Sequence, residues 1–221
     1  MKAQDNKETL ARSLEHTLLS GDIDEKRVTA HVDEALALGV YGVCIPLAWV
    51  PLTKKRIANA PLKVITVIDF PLGQKNAQEK VKEAHRAMSL GADEIDMVMD
   101  YEALIKKDYD KVLSDLSAVV KEVAPLPVKV IVETSALDRD QLASAITLVA
   151  LSHAAFIKTS TGFHKGGAKA EDIALMRKLL PEHVLIKASG GIKDYESAIT
   201  MLKAGASRIG ASKSKEILQN C

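Results

Sequence analysis

The sequence predicts an α/β protein, a single-domain (β/α)8 (TIM) barrel. Three observations predict it. Short apolar, β-branched runs alternate with longer helical patterns along the whole chain. Most of those runs are apolar on both faces, as in a parallel sheet covered on each side. Eight such strand–helix units fit a chain of 221 residues.

The strand candidates, in order, are "YGVCIP" (41–46), "KVITVIDF" (63–70), "EIDMVMD" (94–100), "VKVIVET" (128–134), "AAFIKTS" (154–160), "VLIKAS" (184–189) and "SRIGAS" (207–212). "RSLEHTLL" (12–19) is the weaker eighth, and reads equally well as a helix end. Between them, "NAQEKVKEAHRAMSL" (76–90) opens at an Asn and stops at Gly91. "DYDKVLSDLSAVVKEVA" (108–124) opens at Asp and ends before Pro125. "DRDQLASAITLVALS" (138–152) and "DYESAITMLKA" (194–204) also open at Asp, and the second stops at Gly205. The passages "GADEI" (91–95) and "GASRI" (205–209) echo each other, a hint of a repeating unit. An open doubly wound sheet is the alternative fold, weakened by the lack of a G-x-G-x-x-G after the first strand. No linker divides the chain, so one domain is expected over 1–221, with 1–11 a helical extension and 215–221 a tail.

Composition excludes several classes. Hydrophobic residues are 47% and charged residues 27%, ordinary for a soluble globular protein. Thirty Lys and Arg are interleaved with twenty-nine Asp and Glu, for a net charge of +1. Neither nucleic acid nor a membrane is an expected partner. No apolar run approaches the length of a membrane span, and the polar N-terminus does not read as a signal or transit peptide. The two cysteines, Cys44 and Cys221, do not suggest a disulfide framework. A reducing cytoplasm is the expected setting.

The residues that break the apolar pattern carry the chemistry. Lys158 lies inside "AAFIKTS" and Lys187 inside "VLIKAS", at matching points of two consecutive strands. Burying an ammonium is expensive, and two at matching points ask for a cause beyond an ion-pair network. A lysine attacks a carbonyl only when neutral, and at a reference pKa of about 10.4 roughly one in 10³ is neutral near pH 7. A neighbouring cation and partial desolvation both disfavour the ammonium, the known route to a Schiff-base lysine. Asp96, inside "EIDMVMD", can then shuttle protons through a water. Glu133, in "VIVETS", is the fourth polar residue near a strand end, expected to partner a lysine. A second signal is a pair of glycine loops, "SGGIKDYES" (189–197) and "IGASKS" (209–214), after the last two strands. Barrels bind phosphate there, on backbone N–H groups.

The segments "FIKTSTGF", "IKASGGIK" and "GADEIDMVMD" resemble the signatures of the class I 2-deoxy-D-ribose-5-phosphate aldolase family. "LEHTLL", "VCIP", "VIDFPLG", "VIVETSAL" and "RIGASKS" follow the same family in the same order, from about residue 12 to 214. The resemblance implies a metal-independent barrel enzyme without cofactor, cleaving deoxyribose 5-phosphate reversibly to acetaldehyde and glyceraldehyde 3-phosphate. It implies that Lys158 forms the imine, Lys187 perturbs it and Asp96 transfers protons. Glu15, Thr161, Gly162, Gly190, Gly191, Gly210 and Ser212 are then expected to bind substrate, the glycines and Ser212 near its phosphate. A homo-oligomer, dimer or tetramer, is expected by the same resemblance. The chain departs from the family at Glu15, where Asp is usual, and at Asp69, where a small or neutral residue is common. Ser135 replaces Cys or Gly, and no C-terminal tyrosine is present. The extra carboxylate at Asp69 is expected to alter the lysine titrations.

Other residues receive modest roles. The six histidines lack metal-ligand spacing. His16, beside Glu15, is the one placed near the expected site. Cys44 and Trp49 read as packing. "GFHKGGAKAED" (162–172) reads as a mobile loop whose Lys165 assists phosphate binding or is merely solvated. A Schiff-base aldolase of another phosphorylated sugar and a silent phosphosugar-binding protein are the competing functions.

Overall fold

The computed structural model describes residues 3–219 and Cys221. Residues 1–2 of the expected extension and residue 220 of the expected tail lie outside the described residues. Eight parallel strands close into a barrel in sequence order. They are β1 (Leu14–Thr17), β2 (Gly42–Ile45), β3 (Lys63–Ile68), β4 (Glu94–Val98), β5 (Val128–Ile131), β6 (Phe156–Lys158), β7 (Leu185–Ser189) and β8 (Arg208–Ala211). Closure runs through β1 against β8, with Leu14 opposite Ile209 and Glu15 opposite Gly210. That pairing excludes the open sheet and makes "LEHT" a strand. Its pattern looked weak because Leu14 faces the helices while Glu15 faces the lumen.

Among the described residues ten α-helices surround the strands: α1 (Ala3–Ala11), α2 (Glu25–Leu38), α3 (Val50–Ile57), α4 (Ala77–Ser89), α5 (Tyr101–Ile105), α6 (Tyr109–Glu122), α7 (Arg139–Leu151), α8 (Ala170–Leu179), α9 (Tyr195–Lys203) and α10 (Ser214–Gln219). Helices open where the sequence offers caps. Asn76 and Glu79 form a reciprocal capping box at α4, as do Asp138 and Gln141 at α7. Asp108 and Asp194 accept from the backbone N–H groups of Lys111 and Ser197. Helix α8 starts at Ala170, inside the stretch read as a loop; Lys169 at its N-cap makes no side-chain cap bond, so no cap residue marks the start in the sequence. The expected C-terminal tail is largely helical, as α10.

Two interiors result. The shell between strands and helices is aliphatic, with Val43, Ile95, Val130, Ile157, Ile186 and Ile209 among its fully buried members. An apolar patch of the lumen lies along β2 and β3, where Cys44, Ile65 and Val67 cluster. Other walls of the lumen carry buried charge. No helix among the described residues is long and apolar enough to cross a membrane.

Candidate active site

Strand register assembles the lumen cluster. Lys158 on β6 is the register partner of Lys187 on β7, and Asp96 on β4 is the partner of Lys129 on β5. All four side chains point inward and are buried. Lys158 and Lys187 donate to the same carboxylate oxygen, Asp96 Oδ2, at 2.8 and 2.6 Å. Lys129 donates to the other, Oδ1, at 2.8 Å. The two lysines read from the sequence are therefore neighbours across one oxygen, and a third lysine completes the carboxylate's shell.

Below this layer the charge continues toward the opposite face of the barrel. Lys129 Nζ lies 2.6 Å from Glu94 and 3.5 Å from Glu15. Glu15 also accepts from Lys187 and pairs with Arg208 at 3.4 Å. Glu94 accepts from the Tyr41 hydroxyl. The Arg208 guanidinium stacks on the Tyr41 ring, 3.3 Å from its centroid. Gly210 makes the packing possible: a Cβ there would meet Lys187 Cε at 2.9 Å.

Electrostatics fix most of these groups in charged form. Burial pushes the Asp96 carboxyl up, but Lys129, Lys158 and Lys187 together hold it well below the usual range. Glu15 is lowered in the same way, burial being outweighed by Lys129 and Lys187. Burial works against the Lys187 ammonium, but Asp96 and Glu15 raise its pKa on balance. Lys129 is likewise raised, by Asp96, Glu15 and Glu94 against the cost of burial. The Cys44 thiol is pushed up to about 11 by burial, so it is neutral.

The mouth above Lys158 is a cleft of about 250 Å³, lined by Lys158, Thr161, Gly162, Gly190, Gly191 and Ser212, with Gly210 at its edge on β8. The backbone at Gly190 has φ +92°, and a Cβ there would press on Gly167 Cα at 3.1 Å and Ser160 Cβ at 3.2 Å. Lys193, ahead of α9, brings a cation to the cleft. Lys165, the lysine expected to do so, is not among its lining residues. Thr161 lines the wall, but its hydroxyl is committed to Glu133 at 2.6 Å.

Four expectations change. Glu15 is fully enclosed below the cleft, does not line it, and faces Lys187, Lys129 and Arg208. Glu133 partners no site lysine: it accepts from the Thr161 backbone and hydroxyl and so ties the end of β5 to the loop after β6. Asp69 lies outside the lumen cluster, 3.3 Å from Lys80 of α4. His16 points away from the lumen and stacks on His31 at 3.9 Å. Lys129, Glu94, Arg208 and Lys193 were missed. Lys129 carried the same signal as the other two, a lysine inside an apolar run ("VKVIVET"). Glu94 and Arg208 open their strands and read as ordinary boundary charges. Among the described residues no group of three His, Cys, Asp or Glu side chains is disposed to hold a metal.

Residues 9–220 match the model of the DeoC/LacD family of aldolases. The chain is 43% identical over 218 residues to a deoxyribose-phosphate aldolase of Thermococcus kodakarensis, covering 97% of each. It is 41% identical over 211 residues to that of Mycoplasmopsis pulmonis, covering 96% of each. Among solved structures, an aldolase named QR15 superposes with a TM-score of 0.91 at 36% identity, over 96% of this chain and 95% of that one. A deoxyribose phosphate aldolase from Aeropyrum pernix, described as a unique tetramer, gives 0.88 at 27% identity, over 100% and 98%. The chain belongs to the DeoC/LacD aldolase family.

Proposed function

We propose that this family member is a class I aldolase that reversibly cleaves 2-deoxy-D-ribose 5-phosphate to acetaldehyde and D-glyceraldehyde 3-phosphate, in deoxyribonucleoside catabolism. The names of its relatives over nearly their full length support the reaction. One observation carries the assignment of roles: Lys158 and Lys187 share a single oxygen of Asp96 at the floor of the cleft.

Lys158 Nζ, once neutral, adds to C1 of the open-chain sugar, and loss of water gives the iminium. The C3 hydroxyl then gives up its proton and the C2–C3 bond breaks. Its electron pair moves into the iminium, leaving an enamine, and glyceraldehyde 3-phosphate departs. Protonation of the enamine at C2 and addition of water release acetaldehyde and return the amine. The imine is the electron sink, so the carbon chemistry asks for no metal. Asp96, acting through water, moves the protons. Lys187, held charged by Asp96 and Glu15, keeps a cation beside Lys158. Gly162, Gly190, Gly191, Gly210 and Ser212 receive the phosphate, with Lys193 adding charge and Thr161 shaping the wall. Glu15 acts from beneath, through Lys187. A homo-oligomer working in the cytoplasm fits this reading.

The Lys158→Ala variant tests it. Cleavage of deoxyribose 5-phosphate should fall on the order of 10⁴-fold or more, with the fold retained by circular dichroism. A folded variant with near-parental turnover contradicts the assignment.

A further inference from the structure

We propose that Lys129, which the reaction above does not use, is a positioning residue that supplies the excess positive charge by which Lys158 sheds its proton. The inference rests on Lys158 being the nucleophile.

The lumen holds Lys129, Lys158, Lys187 and Arg208 against Glu15, Glu94 and Asp96, so the cluster carries one cation too many. An unbalanced charge in a dry interior is costly, and the cheapest remedy is the loss of one proton. Contacts select where. Lys129 faces three carboxylates, Glu94, Asp96 and Glu15. Lys187 faces two, Glu15 and Asp96. Arg208 keeps its proton at any physiological pH. Lys158 has only Asp96 Oδ2, an oxygen already shared with Lys187. It is also the lysine of the cluster that lines the cleft, where water can take the proton.

Every wall around Lys129 enters the count. Strand β1 presents Glu15, and β4 presents Glu94 and Asp96. Strand β6 adds Lys158 and the Phe156 ring, which lies 5.7 Å from the Lys129 ammonium. Strands β7 and β8 add Lys187 and Arg208. On β2 the Cys44 thiol is neutral, and β3 contributes only Ile65 and Val67. The Tyr41 phenol is neutral, kept so by burial and by Glu94. Glu133, at the end of β5, is turned to Thr161. Deleting Lys129 makes the cluster three against three and removes the reason for Lys158 to be uncharged. Deleting the Glu94 charge does the reverse.

The test is the pH profile of kcat/KM for deoxyribose 5-phosphate cleavage in the parent, Lys129→Met, Glu94→Gln and the double variant. The acid limb reports the free enzyme's essential base. Lys129→Met should move that limb up by about 1 pH unit or more, and Glu94→Gln should move it down by a similar amount. The double variant should return it to within a few tenths of a unit of the parent. A lower rate at all pH values with an unmoved limb, or two single variants shifted in the same direction, overturns the proposal. If Lys129→Met does not fold, Glu94→Gln decides alone: a limb that stays or rises is fatal. A parent with no cleavage activity overturns the nucleophile reading as well. An active parent with immobile limbs overturns only the role of Lys129.

Discussion

Two clusters of buried lysine lie on opposite sides of the strand layer, and they differ in charge count and access. In the lumen, four cations meet three carboxylates, and one lysine opens to a cleft. In the shell, Lys80 of α4 is equally buried and faces two acids, Asp69 at 3.3 Å and Asp115 at 3.8 Å. It also donates to the carbonyl of Gly73 at 3.2 Å. There the imbalance falls on the acids: burial raises the carboxyl pKa values of Asp69 and Asp115 despite Lys80. Burying a lysine therefore does not make a nucleophile. On the proposed reading, a surplus of positive charge and a path to water do.

The contrast can be broken most forcefully at Lys80. Lys80→Met leaves Asp69 and Asp115 without the buried cation they share and should cost about 3 kcal/mol of stability near pH 7. The loss should shrink toward pH 5, because Asp69 and Asp115 take up protons more readily in the fold than in the unfolded chain. Urea denaturation at the two pH values reads this. The acid limb of kcat/KM should stay where it is, and a shift would erase the distinction between the clusters.

A smaller effect sharpens the contrast with a stacked histidine pair. His16 and His31 stack on the shell side of β1, and both are lowered from 6.5 to about 4, chiefly by burial. The folded state then binds fewer protons than the unfolded state between those values. Their contribution is full above pH 6.5 and is lost as pH falls toward 4, up to ~3 kcal/mol per ring. Imidazole titration by NMR should find both rings neutral at pH 6, and midpoints near 6.5 contradict the burial argument.

The barrel was legible because parallel strands buried on both faces read as apolar runs, and the Asn76, Asp108, Asp138 and Asp194 caps punctuate them. Strand β1 was obscure because a lumen carboxylate interrupts its short apolar pattern. The paired lysines were legible as intrusions in apolar strands. Lys129 carried the same intrusion, but its meaning depends on register, since only closure brings Glu94, Asp96 and Glu15 around it. Glu15, Asp69 and Glu133 misled for one reason: composition reveals a carboxylate, and only the fold shows which way it faces.

Peptide mapping after borohydride reduction with stoichiometric acetaldehyde at neutral pH tests the central claim most directly. One ethyl group should appear on Lys158, with Lys80, Lys129 and Lys187 unmodified. Ethylation of Lys187 in its place, or a folded protein with Lys158 untouched, contradicts the assignment of the free amine to the lysine that is least compensated and open to the cleft.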